Sequence, residues 1–161
     1  MSRFGPPPVA ALVPHAGPMC LLDRVVDWDA AGIRCEATVG EAHPLQVDGR
    51  LPATSLIEYA AQAMAAHGRL IAGSPAGDPA GDPATDEAGD GTGPRPGRLV
   101  GLRATELACR WVTERRLRIE VRRLGGDPAN VLYGFEVFGV APRGEHPLAS
   151  GRAVVTLVAG S

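Results

Sequence analysis

The sequence predicts an α+β domain in which a curved antiparallel β-sheet wraps around one central α-helix. Three observations predict it. Only the stretch TSLIEYAAQAMAAHGRLI that follows Ala53 reads as a helix, and it is so short of polar residues that it must pack on several sides. A hairpin pattern precedes this helix, and four strand patterns follow it. A sheet that curves over the helix is the simplest way to bury both. At 161 residues the chain is long enough for one such domain with a sizeable core.

The elements follow in order. Pro6 to Pro8 make an extended arm, and Val9 to Val13 can form a short helical turn. MCLLDRVVDWD (19–29) is an apolar run rich in β-formers, AAG (30–32) supplies a turn, and IRCEATV (33–39) alternates Ile33, Cys35, Ala37 and Val39 against Arg34, Glu36 and Thr38. Residues 40–52, GEAHPLQVDGRLP, are irregular and punctuated by Pro44, Gly49 and Pro52. The helix then runs from about Ala53 to Leu70 or Ile71, with Ile57, Ala60, Ala61, Met64 and Ala65 along one apolar stripe.

Residues 73–97 are low-complexity, with a GDPAGDPA near-repeat and no apolar periodicity, and read as a disordered surface insertion within a single domain. Beyond it, RLVGLRATELACRWV (98–112) reads as one long or bent strand. RRLRIEVRRL (115–124) alternates Leu117, Ile119 and Val121 against charged residues, GGDPAN is a turn, and 131–140 and 147–159 are further strands. Gly101, Gly134 and Gly151 would help these strands bend.

Composition removes several function classes. The net charge is −2, but residues 74–94 carry five acids and no base, which leaves +3 on the rest. Every basic side chain is arginine, so a Schiff-base or P-loop lysine is excluded. Cys20, Cys35 and Cys109 lie in apolar or strand-like runs without CxxC spacing, as expected of reduced, buried thiols. No apolar run is long enough for a signal peptide or a membrane span, so a cytoplasmic protein is the expectation. There is no GxSxG elbow, no phosphate loop and no pair of histidines with metal-ligand spacing.

What remains is a carboxylate on the helix. Glu58 and Gln62 stand four apart and share a face. Glu58 could close a capping box with Ser55, form a simple ion pair, or serve a reaction. His43 lies in the loop before the helix, where a histidine is usually solvated; His15, His67 and His146 invite the same reading. Arg95, Arg98, Arg103, Arg110, Arg115, Arg116, Arg118, Arg122 and Arg123 form either the solvated face of two strands or a docking patch for an acidic partner. Nucleic acid is disfavoured, because aromatic residues are scarce and only Trp111 interleaves with the basic run.

Taken together, PHAGPMCLLDRVVDWD and LPATSLIEYAAQ resemble the first strand and central helix of the hotdog-fold 3-hydroxyacyl-acyl-carrier-protein dehydratases, closest to the divergent aryl-polyene-cluster type. The resemblance covers most of the chain outside 73–97. It implies a hotdog fold and an active site shared between opposite subunits of a dimer, with His43 and Glu58 as the catalytic pair and Gln62 supporting the carboxylate. Backbone N–H groups near Ala53 would hold the thioester oxygen. Three features depart from the family: His43 is fifteen residues before Glu58 rather than fourteen, Gly49 is the nearest stand-in for the loop glycine, and Ala53 stands where the family has a glycine just after the helix-entry proline.

The implied reaction is dehydration of a 3-hydroxyacyl thioester, carried on acyl carrier protein or coenzyme A, to the trans-2-enoyl thioester, with no cofactor. Imidazole suits abstraction of the α-proton, and a carboxyl group can relay a proton to the departing hydroxyl. The expected assembly is a homodimer or a heterodimer with another hotdog subunit, without nucleic acid or membrane. Two alternatives stand beside this: a hotdog thioesterase using Glu58, and a non-catalytic acyl-binding subunit of a heterodimer.

Overall fold

The computed structural model describes residues 7–15, 17–73 and 97–158. The expected insertion therefore lies, apart from its end residues Gly73 and Gly97, outside the described residues, as do Pro6 and Arg95. A short 3₁₀ turn at Val9–Ala11 leads to a second at Gly17–Met19. Strands β1 (Arg24–Asp29) and β2 (Gly32–Thr38) form the expected hairpin, and Ile33, Cys35 and Ala37 are buried while Arg34 and Thr38 face out. Strand β3 is only Leu51–Pro52, and helix α1 spans Ser55–Ala72. Strands β4 (Gly97–Leu107), β5 (Trp111–Val112), β6 (Arg116–Gly126), β7 (Asn130–Ala141) and β8 (Gly144–Leu157) complete the chain.

Six strands form one antiparallel sheet in the order β1-β2-β6-β7-β8-β4, and β3 pairs with β5 beside it. The helix packs on β2, β6 and β7, where Leu56, Tyr59, Ala60, Ala63 and Ala66 meet Leu117, Ile119 and Val137. Alanines on the helix allow this close approach, because a larger side chain would push the sheet away. The architecture is the one the sequence predicts, a single helix enclosed by a curved antiparallel sheet.

Three local features differ from expectation. The run 98–112 is not one strand: it breaks at Ala108, whose N–H bonds the Leu148 carbonyl, and Trp111–Val112 turn away to pair with Leu51–Pro52. The break was hidden because β4 is exposed along nearly its whole length and shows no alternation. The capping box does not form. Thr54 is the N-cap and makes no side-chain cap bond, and the Glu58 carboxylate is engaged elsewhere. Of the three glycines expected to help bending, Gly101 has open space around it, and Gly151 is the tightest: a Cβ there would lie 3.0 Å from Phe135 Cζ and Thr105 Oγ1, side-chain atoms that would have to yield.

The two edges of the sheet are unlike. β1 is short, charged at Arg24, Asp27 and Asp29, and interrupted by a register shift between Val25 and Asp27. Such features guard an edge against further pairing. β4 pairs only with β8 among the described residues, and it exposes Leu99, Val100, Leu102 and Leu107, with Val100 at 59%. The expected arginine cluster is also divided. Arg118 is held by Glu120 and Glu145 and covers the Phe138 ring at 4.4 Å, and Arg115 reaches Glu41 at 3.4 Å. Arg122 and Arg123 line two different clefts. All three cysteines are free, and burial pushes the Cys35 thiol up to about 12.

His67 ties the far end of the helix to the sheet. It is fully buried; its Nε2–H donates to the Asp29 carbonyl at 2.8 Å, and its Nδ1 accepts the Tyr133 hydroxyl at 3.0 Å. Burial lowers its pKa from the ordinary 6.5, and burial does the same for His43. Below about pH 6.5 the unfolded chain therefore takes up protons at these histidines that the folded chain does not. Stability is fully present above that pH and is lost as the pH falls. We expect the urea midpoint to drop between about pH 7.5 and 5.5, with a shallower drop in His67→Phe. That variant should also lose about 1–3 kcal/mol at neutral pH, because it orphans the Asp29 carbonyl and the Tyr133 hydroxyl. A wild-type midpoint that stays flat over this range counts against the assignment.

Candidate active site

Glu58 lies in the first turn of α1, where a carboxylate is favoured by the positive end of the helix dipole. Its Oε1 accepts a hydrogen bond from Gln62 Nε2 at 3.2 Å, one turn on, as the spacing suggested. It also lies 3.0 Å from Nε2 of His15, and both side chains keep 31% of their surface exposed. His15 is thus the histidine that the fold brings to Glu58. It sits between the two 3₁₀ turns, on a segment that leads into β1.

Gln62 holds that segment in place. It is fully buried, and all its amide groups are used. Oε1 accepts the Leu21 N–H at 2.9 Å, while Nε2 donates to the Met19 carbonyl at 2.7 Å and to Glu58. The partners fix the amide orientation, because a flipped amide would aim its oxygen at a carbonyl and a carboxylate. The second ring nitrogen of His15, Nδ1, is buried and has no hydrogen-bond partner among the described residues. With Nε2–H donated to the carboxylate, Nδ1 carries the lone pair of a neutral ring.

His43 occupies a different position. It makes no contact with Glu58 within the chain; its Nε2 meets the hydroxyl of buried Tyr59 at 2.9 Å. The Leu45 N–H donates to Nδ1 at 3.1 Å, so in the neutral ring Nε2 carries the proton and donates to Tyr59. Burial keeps this ring neutral by lowering its pKa and pushes the Tyr59 phenol up to about 12. Both nitrogens of His43 are therefore committed.

Two other expected residues do structural work in this chain. The Ala53 N–H is taken by the Arg110 carbonyl at 2.9 Å, so it is not free to hold an oxyanion. Among the described residues, the N–H groups of Thr54 and Ser55 make no backbone hydrogen bond and are the orphan donors of the helix start. Gly49 has φ +74 and follows Asp48 at φ +51, in a tight turn closed by two hydrogen bonds between Val47 and Arg50. Two consecutive positive φ values are what an Asp-Gly hairpin turn requires. The glycine shapes the loop.

An apolar cleft of about 870 Å³ runs along the C-terminal half of α1. Leu12, Val13 and Pro14, the residues just before His15, line one side; Met64, Val155 and Leu157 line others. A second cleft of about 820 Å³, on the outer face of the sheet, is lined by Arg34, Glu120, Arg122 and Arg152 and contains none of the candidate residues. No helix among the described residues is long and apolar enough to cross a membrane.

A sheet curved round one helix, with its acid in the first helical turn, defines a hotdog protein. Residues 7–156 match the family described as ApeP-like, ApeP dehydratase, and the chain belongs to that family of hotdog dehydratases. Solved structures agree on the fold. The dehydratase heterocomplex ApeI:P from Xenorhabdus doucetiae gives a TM-score of 0.70 at 24% identity, covering 94% of this chain and 91% of that one. Zebra fish thioesterase superfamily member 2 gives 0.59 at 16% identity, covering 93% of each chain. AziG from S. sahachiroi gives 0.55 at 14%, covering 86% of this chain and 92% of that one. Comparison with curated proteins finds no match.

The sequence pattern missed His15 as the partner of Glu58. The two are 43 residues apart, and no helical or strand spacing connects them. The available signal was that Pro14-His15 directly precedes the segment a buried Gln62 must satisfy.

Replacing Gln62 by leucine should leave the Leu21 N–H and the Met19 carbonyl unpaired. We expect a loss of roughly 2–4 kcal/mol in urea unfolding, and weaker protection of the Leu21 amide in hydrogen exchange. If Leu21 remains as protected as in wild type, Gln62 does not hold this segment.

Proposed function

We propose that this dehydratase removes water from 3-hydroxyacyl thioesters with His15 and Glu58 as the reacting pair. The observation that carries the reading is the 3.0 Å contact between them, which leaves the buried Nδ1 of His15 as an unclaimed base among the described residues. The α-proton passes to Nδ1. The Nε2 proton of the resulting imidazolium crosses to Glu58, which delivers it to the 3-hydroxyl as the C3–O bond breaks. One proton enters the pair and one leaves, so the products are the enoyl thioester and water. Glu58 also balances the imidazolium charge, and Gln62 keeps the carboxylate aimed.

Thr54 and Ser55 N–H groups, at the positive end of α1, are suited to the charge that develops on the thioester oxygen. The apolar cleft past Pro14 and Met64 suits the acyl chain. His43, with both nitrogens engaged, positions the loop and Tyr59 at the helix start rather than meeting substrate. Acyl carrier protein or coenzyme A would carry the thioester.

His15→Ala and Glu58→Gln should each lower kcat roughly 10²- to 10⁴-fold, and the double variant should be little worse, since the two act as a unit. The assay is formation of the conjugated enoyl thioester from 3-hydroxyacyl groups on both carriers. Release of free thiol instead would mark a thioesterase. Should His43→Ala abolish turnover while His15→Ala retains it, the base is His43.

The apolar side chains exposed along the β4 edge suit a second hotdog subunit, which would cover Val100 and Leu102. The similar ApeI:P structure is described as a dehydratase heterocomplex, which supports a second subunit for this chain. Sedimentation of Val100→Lys/Leu102→Lys should show smaller particles than wild type, or a lost complex when a partner subunit is co-expressed. Unchanged assembly would place the interface elsewhere.

A further inference from the structure

Arg50 and Arg110 come from separate segments, the loop before the helix and the turn after β4, yet both converge on Trp111. Their guanidinium carbons lie 5.4 and 5.7 Å from the centroid of its ring. Neither makes a salt bridge among the described residues, a state they share with most of the arginines, so it is their convergence on one ring that distinguishes them. Two like charges held against one aromatic ring raise the local positive potential, which an anion bound beside them lowers. Both side chains are exposed and so open to a ligand.

The cluster is fastened to the mouth of the site. Trp111 pairs with Pro52, and the Arg110 carbonyl holds the Ala53 N–H at 2.9 Å, immediately before the helix that carries Glu58. The positive helix terminus adds to the same potential. A 3-hydroxyacyl thioester is itself uncharged at its reacting end, so cations at this mouth have no use for the acyl group. They suit the anionic part of what carries it.

From this geometry we infer that Arg50 and Arg110, braced by Trp111, bind the phosphate of the phosphopantetheine arm; this rests on the thioester reading above. A planar guanidinium fork matches phosphate oxygens in pairs, and the cation–π contact with the indole restrains the forks before the ligand arrives. Two forks against one aromatic ring suit an anion rich in acceptor oxygens, and the test separates phosphate from the carboxylates of a protein surface. Both acyl carrier protein and coenzyme A present this phosphate, and the test separates them.

The same 3-hydroxyacyl group is supplied on acyl carrier protein, on coenzyme A and on N-acetylcysteamine, which lacks phosphate. In Arg50→Gln/Arg110→Gln, kcat/KM on each phosphate-bearing carrier should fall, relative to the phosphate-free one, at least about tenfold compared with wild type, and mainly through KM. Arg50→Lys/Arg110→Lys, which keeps the charge but loses the fork, should fall between the two. Equal losses on all three carriers, or none, overturn the proposal. A loss confined to carrier protein also overturns it and assigns the arginines to that protein's surface. Calorimetry gives a readout independent of turnover: wild type should bind 4′-phosphopantetheine at least about tenfold more tightly than pantetheine, and the double variant should bind both alike. Equal binding by wild type sinks the inference. If wild type dehydrates none of the three substrates, the proposed reaction fails, and the calorimetric difference still decides the phosphate site.

Discussion

Gln62 is fully buried in the middle of a helix that the sheet encloses, and a buried carboxamide must find partners for one acceptor and two donors. It finds them in the Leu21 N–H, the Met19 carbonyl and the Glu58 carboxylate. The first two lie on a segment with little regular structure of its own, which therefore takes its course from the helix. That course sets where His15 stands, and the third bond sets which way Glu58 faces. One amide thus couples the helix, the approach to β1 and the candidate chemistry.

The same requirement recurs along α1. Tyr59 is satisfied by His43 from the loop, and His67 by Tyr133 and the Asp29 carbonyl. Glu58, Tyr59, Gln62 and His67 on this alanine-rich helix each reach a distant part of the chain, so the helix is fixed in rotation as well as in depth. Apolar packing alone would tolerate a small rotation of a surface so uniformly alanine. Unsatisfied buried polar groups would not.

Much of this fold was legible because the pattern is strong where burial is one-sided. Ile33, Cys35 and Ala37 in β2, and Leu117, Ile119 and Val121 in β6, alternate with charged residues and are all buried. The break after β4 was not legible, since that strand presents exposed residues on both faces. Glu58 and Gln62 were legible as neighbours through helical spacing. The meeting of His15 with Glu58 was not, because it depends on how an irregular segment is pinned. Gly49 illustrates a signal present but outweighed: Asp48-Gly49 is a turn dipeptide, and the backbone uses it as one.

The histidines can be separated by counting what each ring nitrogen does. In His43 and His67 both nitrogens are bound to fixed protein groups, and burial holds both rings neutral. A ring in that condition cannot accept a proton without breaking a hydrogen bond and burying a charge. His15 has one nitrogen on a carboxylate that can balance a positive ring and another with no partner among the described residues, and it stays partly exposed. His146 likewise keeps one nitrogen on a carboxylate, that of Glu114 at 2.8 Å. What sets His15 apart is the carboxylate it meets, which lies on the central helix and is held by the buried Gln62, a meeting that the spacing of the sequence did not foretell.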